Sequence, residues 1–354
     1  MKNITKKITK LSAVLTASIL SASLPLTAMA AQNSPDDNTY QPKDVQTVDY
    51  KKSLTPEFAY SAEKWASLRD NIMEYGELAN LVHEYNPTVI SNRSTYKDQK
   101  NKNLNDIYDD YMKDIDDIWD QADSADNDIT WASLRYSAGL LTKQADNNYE
   151  DADMEKIQYD QQEAKLVYQA QEMMVSLKQS AYNLENLQST KELLQKQYEA
   201  AQAQLSVGMA TQTDVLTALK RVQDQDNAIL TAQKSQENVH RNLCLMLGWS
   251  ADAQPEIKEV PQPDLSRIDT LDPNADAQTA IDNNYDVKYY TKKAGNLDSQ
   301  DLIESNQATL ANAKDTAVRS LKTQYNTVLT TRDALNAAKA PLQVAEANLN
   351  IAQA

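Results

Sequence analysis

The chain has 354 residues with only five glycines, ten prolines, one phenylalanine and one cysteine, and a formal net charge of −16. So little glycine beside abundant Ala, Gln, Asp, Leu and Lys favours long helices over sheets or α/β domains, and the negative charge argues against nucleic acid, whose phosphates need basic surface. The single cysteine, Cys244, gives no internal disulfide framework; set between Leu243 and Leu245, it reads as a small buried hydrophobe.

Residues 1–31 read as a signal peptide, with Lys2, Lys6, Lys7 and Lys10 ahead of an apolar stretch and Ala28-Met29-Ala30 as the cleavage site. Export would remove those four lysines and take the formal charge from −16 to −20. Residues 32–54 are polar, with Pro35 and Pro42, and read as a flexible leader. Thr55-Pro56 pairs an N-cap with a first-turn proline and opens a helix running through Trp65, Leu68, Ile72, Leu78 and Leu81 to Tyr85. Asn86-Pro87 stops it, because the residue before proline avoids helical angles.

From about 88 to 129 the spacing predicts a second helix with the seam Leu104, Ile107, Tyr111, Ile115, Ile118, Ala122, Ala125 and Ile129. Its other faces carry ten aspartates between Asp106 and Asp128. They lack the glycine and terminal glutamate of a calcium loop and read as a solvated face, with divalent-ion binding as the alternative. A break near Ala125–Trp131 or around Asp146–Asp153 leads into a long helix. Its seam includes Leu166, Ala170, Met173, Leu177, Leu184, Leu187 and Leu194, with Lys191 falling in a gap, and ends at Leu205.

There the pattern reverses. Gly208 supplies the backbone freedom to leave a helix, and Thr211 and Asp214 form the capping pattern that starts the next one. The new seam runs Val215, Leu219, Val222 and Ile229 to Leu243 and Met246, with Gly248 as its stop. Residues 250–274 hold four prolines and form an irregular connector. Helix resumes near Ala275, weakens at Gly295-Asn296 and continues with a kink expected at Pro341. At 1.5 Å per residue a helix over 131–207 would be about 115 Å long, matched by those over 88–122 (about 52 Å) and 212–247 (about 54 Å) stacked end to end. That matching predicts a rod over 100 Å long.

The halves resemble each other: Asn86-Pro-Thr-Val89 answers Asn284-Tyr-Asp-Val287, Ser176-Leu-Lys178 answers Ser320-Leu-Lys322, and Ala201-Gln-Ala203 answers Ala352-Gln-Ala354. The organisation expected is therefore a first helical repeat over 55–249, the connector 250–274, and a second, incomplete repeat over 275–354 that breaks off before its own glycine turn, as in a C-terminally truncated chain. The fold class is all-α, built from long antiparallel helical hairpins. After the signal segment no apolar run of about 18 residues offers a transmembrane helix, and no barrel-type strands are recognisable.

On these residues the chain resembles the TolC family of outer-membrane efflux proteins. The resemblance rests on Tyr198 through Leu216, on the helix end Asn242-Leu-Cys-Leu-Met-Leu-Gly248, on Asn86-Pro87 and on the duplicated organisation. It implies a TolC-like helical-barrel protomer, a homotrimeric tunnel in the cell envelope, and docking of a periplasmic adaptor of an efflux pump or type I secretion system through the hairpin tips. The family's β-barrel has acidic helix in its place here, as in a relative from an organism without an outer membrane.

The tip residues so implicated are Val207, Gly208, Met209, Ala210, Thr211 and Asp214. Val207, Met209 and Ala210 either present an apolar tip to a partner or simply pack the turn. Asp224 and Asp226 are candidates for lining a lumen; Asp226 occupies a seam position, where an unpaired buried carboxylate is costly and a water-filled lumen removes the cost. The alternative is a wet helix side. No catalysis, cofactor or metal is expected, because His83 and His240 lack the motif partners of a site and no phosphate loop or nucleophile elbow occurs. The competing function is a non-transport coiled-coil spacer or adhesin of the envelope.

Overall fold

A computed structural model describes residues 60–353. The residues read as signal peptide (1–31), leader (32–54) and the Thr55-Pro56 helix start lie outside that range. The described residues are all-α apart from one pair of two-residue strands. They fall into two compact units, one formed by residues up to 73 with 85–87 and 173–258, the other by 74–84, 88–172 and 259–354.

In the first unit, helix α1 (Ala62–Ser67) is capped by the Ser61 side chain, which accepts from Lys64 N. The helix predicted through to Tyr85 does not continue. Asn71 takes φ 60°, the Asp70 carboxylate accepts from Ile72 N at 2.9 Å, and strand β1 (Ile72–Met73) pairs in parallel with β2 (Glu256–Ile257). The apolar spacing mimicked a helix because Leu68 and Met73 are both buried and need a common core, which a turn and strand supply as well as a helix does. Past residue 173 the unit holds the rest of helix α6 (Ala152–Ser206) and all of α7 (Gln212–Met246). Leu177, Leu184, Val215 and Val222 are buried along these two helices, and Leu243, Cys244, Met246, Leu247 and Trp249 form the core around the end of α7.

The second unit contains α2 (Leu78–Tyr85) up to Glu84, then α3 (Pro87–Gln99), α4 (Leu104–Asp123) and α5 (Asp128–Asp146). The single helix expected over 88–129 is thus divided. Asn101 sits at φ 71°, and Asn103 starts α4 with a full capping box to Asp106, so one of the ten aspartates has a structural role in ending the break. The seam stops at Ala122. Asn127 caps α5 through Thr130 N, which puts Ile129 at 84% exposure rather than in a core. Ile115, Ile118 and Ala122 of α4 and Ala138, Leu141 and Ala145 of α5 are buried where these helices pack as an antiparallel hairpin.

The helix expected over 131–207 is divided too, by residues 147–151. Helix α6, with 55 residues, has a length of about 82 Å rather than 115. The break has a reason in its packing. Helices α8 (Ala277–Asn283), α9 (Tyr285–Ala294) and α10 (Gln300–Gln353) follow the connector, and α9 docks on the open loop. The Tyr289 hydroxyl donates to the Glu150 carboxylate. Asn296 Nδ2 donates to Tyr149 O at 3.1 Å and to Asp151 Oδ2 at 3.0 Å, and Lys292 Nζ lies 2.7 Å from Asp153. Burial and the Glu150 carboxylate both push the Tyr289 hydroxyl pKa upward. Helix α10 runs on through Pro341 without interruption.

The two Asn-x-x-Val segments each lead into a helix. Asn86 and Asn284 each precede a helix, α3 and α9, and Val89 and Val287 are both buried. Asn284 accepts from Val287 N at 3.0 Å.

Candidate functional site

The turn between α6 and α7 is built by backbone chemistry that needs no neighbours. Met209 N donates to Gln204 O at 2.8 Å and Gly208 N to Leu205 O at 3.0 Å, the paired bonds of a Schellman stop, with Gly208 at φ 79°. Only glycine adopts that angle without cost. Two residues on, Asp214 N donates to Thr211 Oγ1 at 3.2 Å, while Thr211 N and Oγ1 donate to Asp214 Oδ2 at 2.8 and 2.7 Å. The reciprocal box satisfies donors that the start of α7 would otherwise leave open. Those bonds from the Thr211 backbone and hydroxyl hold the Asp214 carboxyl below the usual aspartate range.

The side chains on the turn point away from the chain. Val207 is 68% and Met209 79% exposed, and a Cβ on Gly208 would meet nothing within 4 Å. Val207 and Met209 therefore do not pack the turn; the stop is made by hydrogen bonds, leaving two apolar side chains in solvent. Ala210 is half-buried.

Above the turn the two arms are joined by polar contacts. Lys191 Nζ of α6 lies 2.7 Å from Asp226 Oδ1 of α7, and Gln225 Nε2 donates to Leu187 O at 2.8 Å. The inward stripe of α7 thus passes through Gln225 rather than Asp226, which is exposed. The expected cost of an unpaired carboxylate in the seam does not arise. Asp224 pairs along its own helix with Lys220 at 2.5 Å. Lys191 and Gln225 are the residues that periodicity alone does not pick out, although Lys191 breaks one seam where an acid breaks the other. No protein-family model, curated protein or solved structure matches this chain.

The far end of α7 is a second glycine stop. Trp249 N donates to Cys244 O at 2.9 Å and Gly248 N to Leu245 O at 3.3 Å, with Gly248 at φ 85°. Here the turn is enclosed: a Cβ on Gly248 would stand 2.5 Å from Tyr85 Cβ and 3.1 Å from Tyr85 O. The buried Asn86 donates through Nδ2 to Met246 O at 2.9 Å, Trp249 Nε1 donates to Asn71 Oδ1 at 3.2 Å, and Cys244 is fully buried.

The two histidines serve packing. His83 is buried, with Nδ1 2.8 Å from Glu163 Oε1; His240 flanks the Cys244 sulfur at 3.8 Å one turn away. No group of His, Cys, Asp or Glu among the described residues is arranged to hold a metal ion, and no described helix is long and apolar enough to cross a membrane.

Proposed function

We propose that the chain is a component of a TolC-type efflux or secretion conduit, a protomer of an oligomeric helical tunnel that docks a pump adaptor through the α6–α7 tip. The observation that carries the reading is the exposed pair Val207 and Met209 on a turn whose geometry is complete without them. Large apolar side chains left in water on a rigid, capped turn suit a partner surface. The role of the tip is mechanical and adhesive, with no chemistry assigned to it: Gly208, Thr211 and Asp214 set the turn, and Val207, Met209 and Ala210 supply contact. Asp224 and Asp226 enter as lumen-lining residues only in the assembled tunnel, and both are already neutralised by lysines in the single chain.

That neutralisation favours a second reading, an envelope spacer or adhesin in which the hairpin is only structural, because Asp226 no longer needs a wet lumen. Mass by light scattering on residues 32–354 at micromolar concentration separates the two. The conduit requires a trimer; a strict monomer overturns it and leaves the spacer. Met209→Asp should then abolish capture of a co-expressed adaptor without loss of helical circular dichroism, and unchanged capture removes the tip from the interface.

A further inference from the structure

Helix α5 is apolar on two sides. Ala138, Leu141 and Ala145 are buried against α4. On the opposite side, at 100° per residue, Ile129, Ala132, Tyr136 and Leu140 form a second stripe. Ile129 is 84%, Tyr136 70% and Leu140 50% exposed. A helix whose back is simply wet carries polar residues there; this one places hydrophobic side chains over about three turns that nothing among the described residues covers. Arg135 stacks over the rings of Trp119 and Trp131 at 4.5 and 4.8 Å and stiffens the same end of the hairpin, so the stripe sits on a firm base.

The electrostatics around the stripe choose its occupant. Residues 104–146 hold eleven aspartates against Lys113, Arg135 and Lys143. Asp120 and Asp123 lie in the last turn of α4, which contains no basic residue, and the helix dipole makes that end hostile to negative charge. Asp126 follows in the turn, and Asp128 opens α5 beside Ile129. Asp120 and Asp123, at the C-terminal end of α4, are the two that the dipole disfavours and that an incoming cation would relieve. A second copy would bring the same acidic surface, and anionic lipid would be repelled likewise.

We propose that the outward stripe of α5, with the aspartates at the α4–α5 turn, docks a basic amphipathic helix of a partner protein, its apolar side on Ile129, Tyr136 and Leu140 and its lysines or arginines over Asp120, Asp123, Asp126 and Asp128. The surface is distinct from the α6–α7 tip and stands whether or not the tip binds an adaptor.

The test uses the full chain and a fluorescent 18-residue peptide with leucines on one helical face and lysines on the other, beside a version with glutamates for lysines. Anisotropy should show binding of the lysine peptide only, weakening with salt. Tyr136→Ser with Leu140→Ser should lower affinity by about tenfold or more, as truncation of central apolar contacts does, with helical circular dichroism unchanged. Asp120→Asn with Asp123→Asn should weaken binding and flatten its salt dependence. Val207→Ser with Met209→Ser should leave it unaltered. Failure of the lysine peptide to bind overturns the proposal, as does equal loss in the Val207/Met209 variant. Self-association by light scattering that Tyr136→Ser abolishes would assign the stripe to a second copy, and flotation with phosphatidylcholine vesicles abolished by the same change would assign it to lipid; either result overturns a basic protein helix.

Discussion

Helix α7 lies between two glycine turns that share one backbone motif and differ in everything around it. Gly208 and Gly248 both take positive φ, and both turns close with the same pair of bonds, from the glycine and from the residue after it. Gly208 stands in open space; Gly248 is pressed against the Tyr85 backbone and Cβ. The first turn needs glycine only for its torsion angle. The second needs it for the angle and for the missing atom, because the Asn86-Pro87 step and Trp249 close over it. One motif thus yields a free tip and a buried junction, and the surroundings decide which.

Replacing Gly248 by Ala should have the largest effect. The left-handed angle costs about 1–2 kcal/mol, and forcing a methyl into the 2.5 Å gap at Tyr85 adds about 1–3 kcal/mol of overpacking, so a loss of about 2–5 kcal/mol is expected by denaturant titration. A smaller loss would mean that Tyr85 moves aside and the junction yields to the added methyl. Gly208→Ala should cost only the angle, about 1–2 kcal/mol, with helical content intact; a loss equal to that at Gly248 would erase the distinction. The gentlest probe is acid. Because the Asp214 carboxyl lies below its ordinary range, its contribution is present above the unfolded aspartate value of about 3.9 and is lost as pH falls through the lower folded value. The protection of the Asp214 and Val215 amides against exchange, relative to the intrinsic rate, should therefore fall only below about pH 4, and Asp214→Ala should show the reduced protection at position 215 at every pH.

How far the sequence could be read follows from where each feature gets its stability. The Gly208 turn, the Thr211–Asp214 box and the Gly248 stop are local, made by residues within a few positions of each other, and their spacing is visible in the chain. The break at Lys100–Asn103 is local too, in Asn103-x-x-Asp106, but the spacing Leu104, Ile107, Tyr111 continues helical periodicity beside it, and no glycine or proline marks the spot. The β1–β2 pair was not legible, since Ile72 and Glu256 are distant in sequence and neither segment has strand-like alternation. At the tip, Val207 and Met209 were identifiable as apolar, yet whether they pack or project depends on the turn's hydrogen bonds. The choice between Gln225 and Asp226 as the inward residue of α7 rests on contacts to Leu187 and Lys191, and helical periodicity alone leaves adjacent positions in a gap of seven equivalent.

Those two contacts have a consequence for how α6 and α7 are aligned. Stripes of leucine, valine and alanine are forgiving: small shifts of one arm along the other still find an apolar neighbour. The contact of Gln225 with the Leu187 carbonyl is less forgiving, because a shift leaves a half-buried amide without its partner; the exposed Lys191–Asp226 pair adds little beside it. With the Gly208 turn already tying the ends of the two arms together, these contacts carry the same alignment about four to five turns up the hairpin.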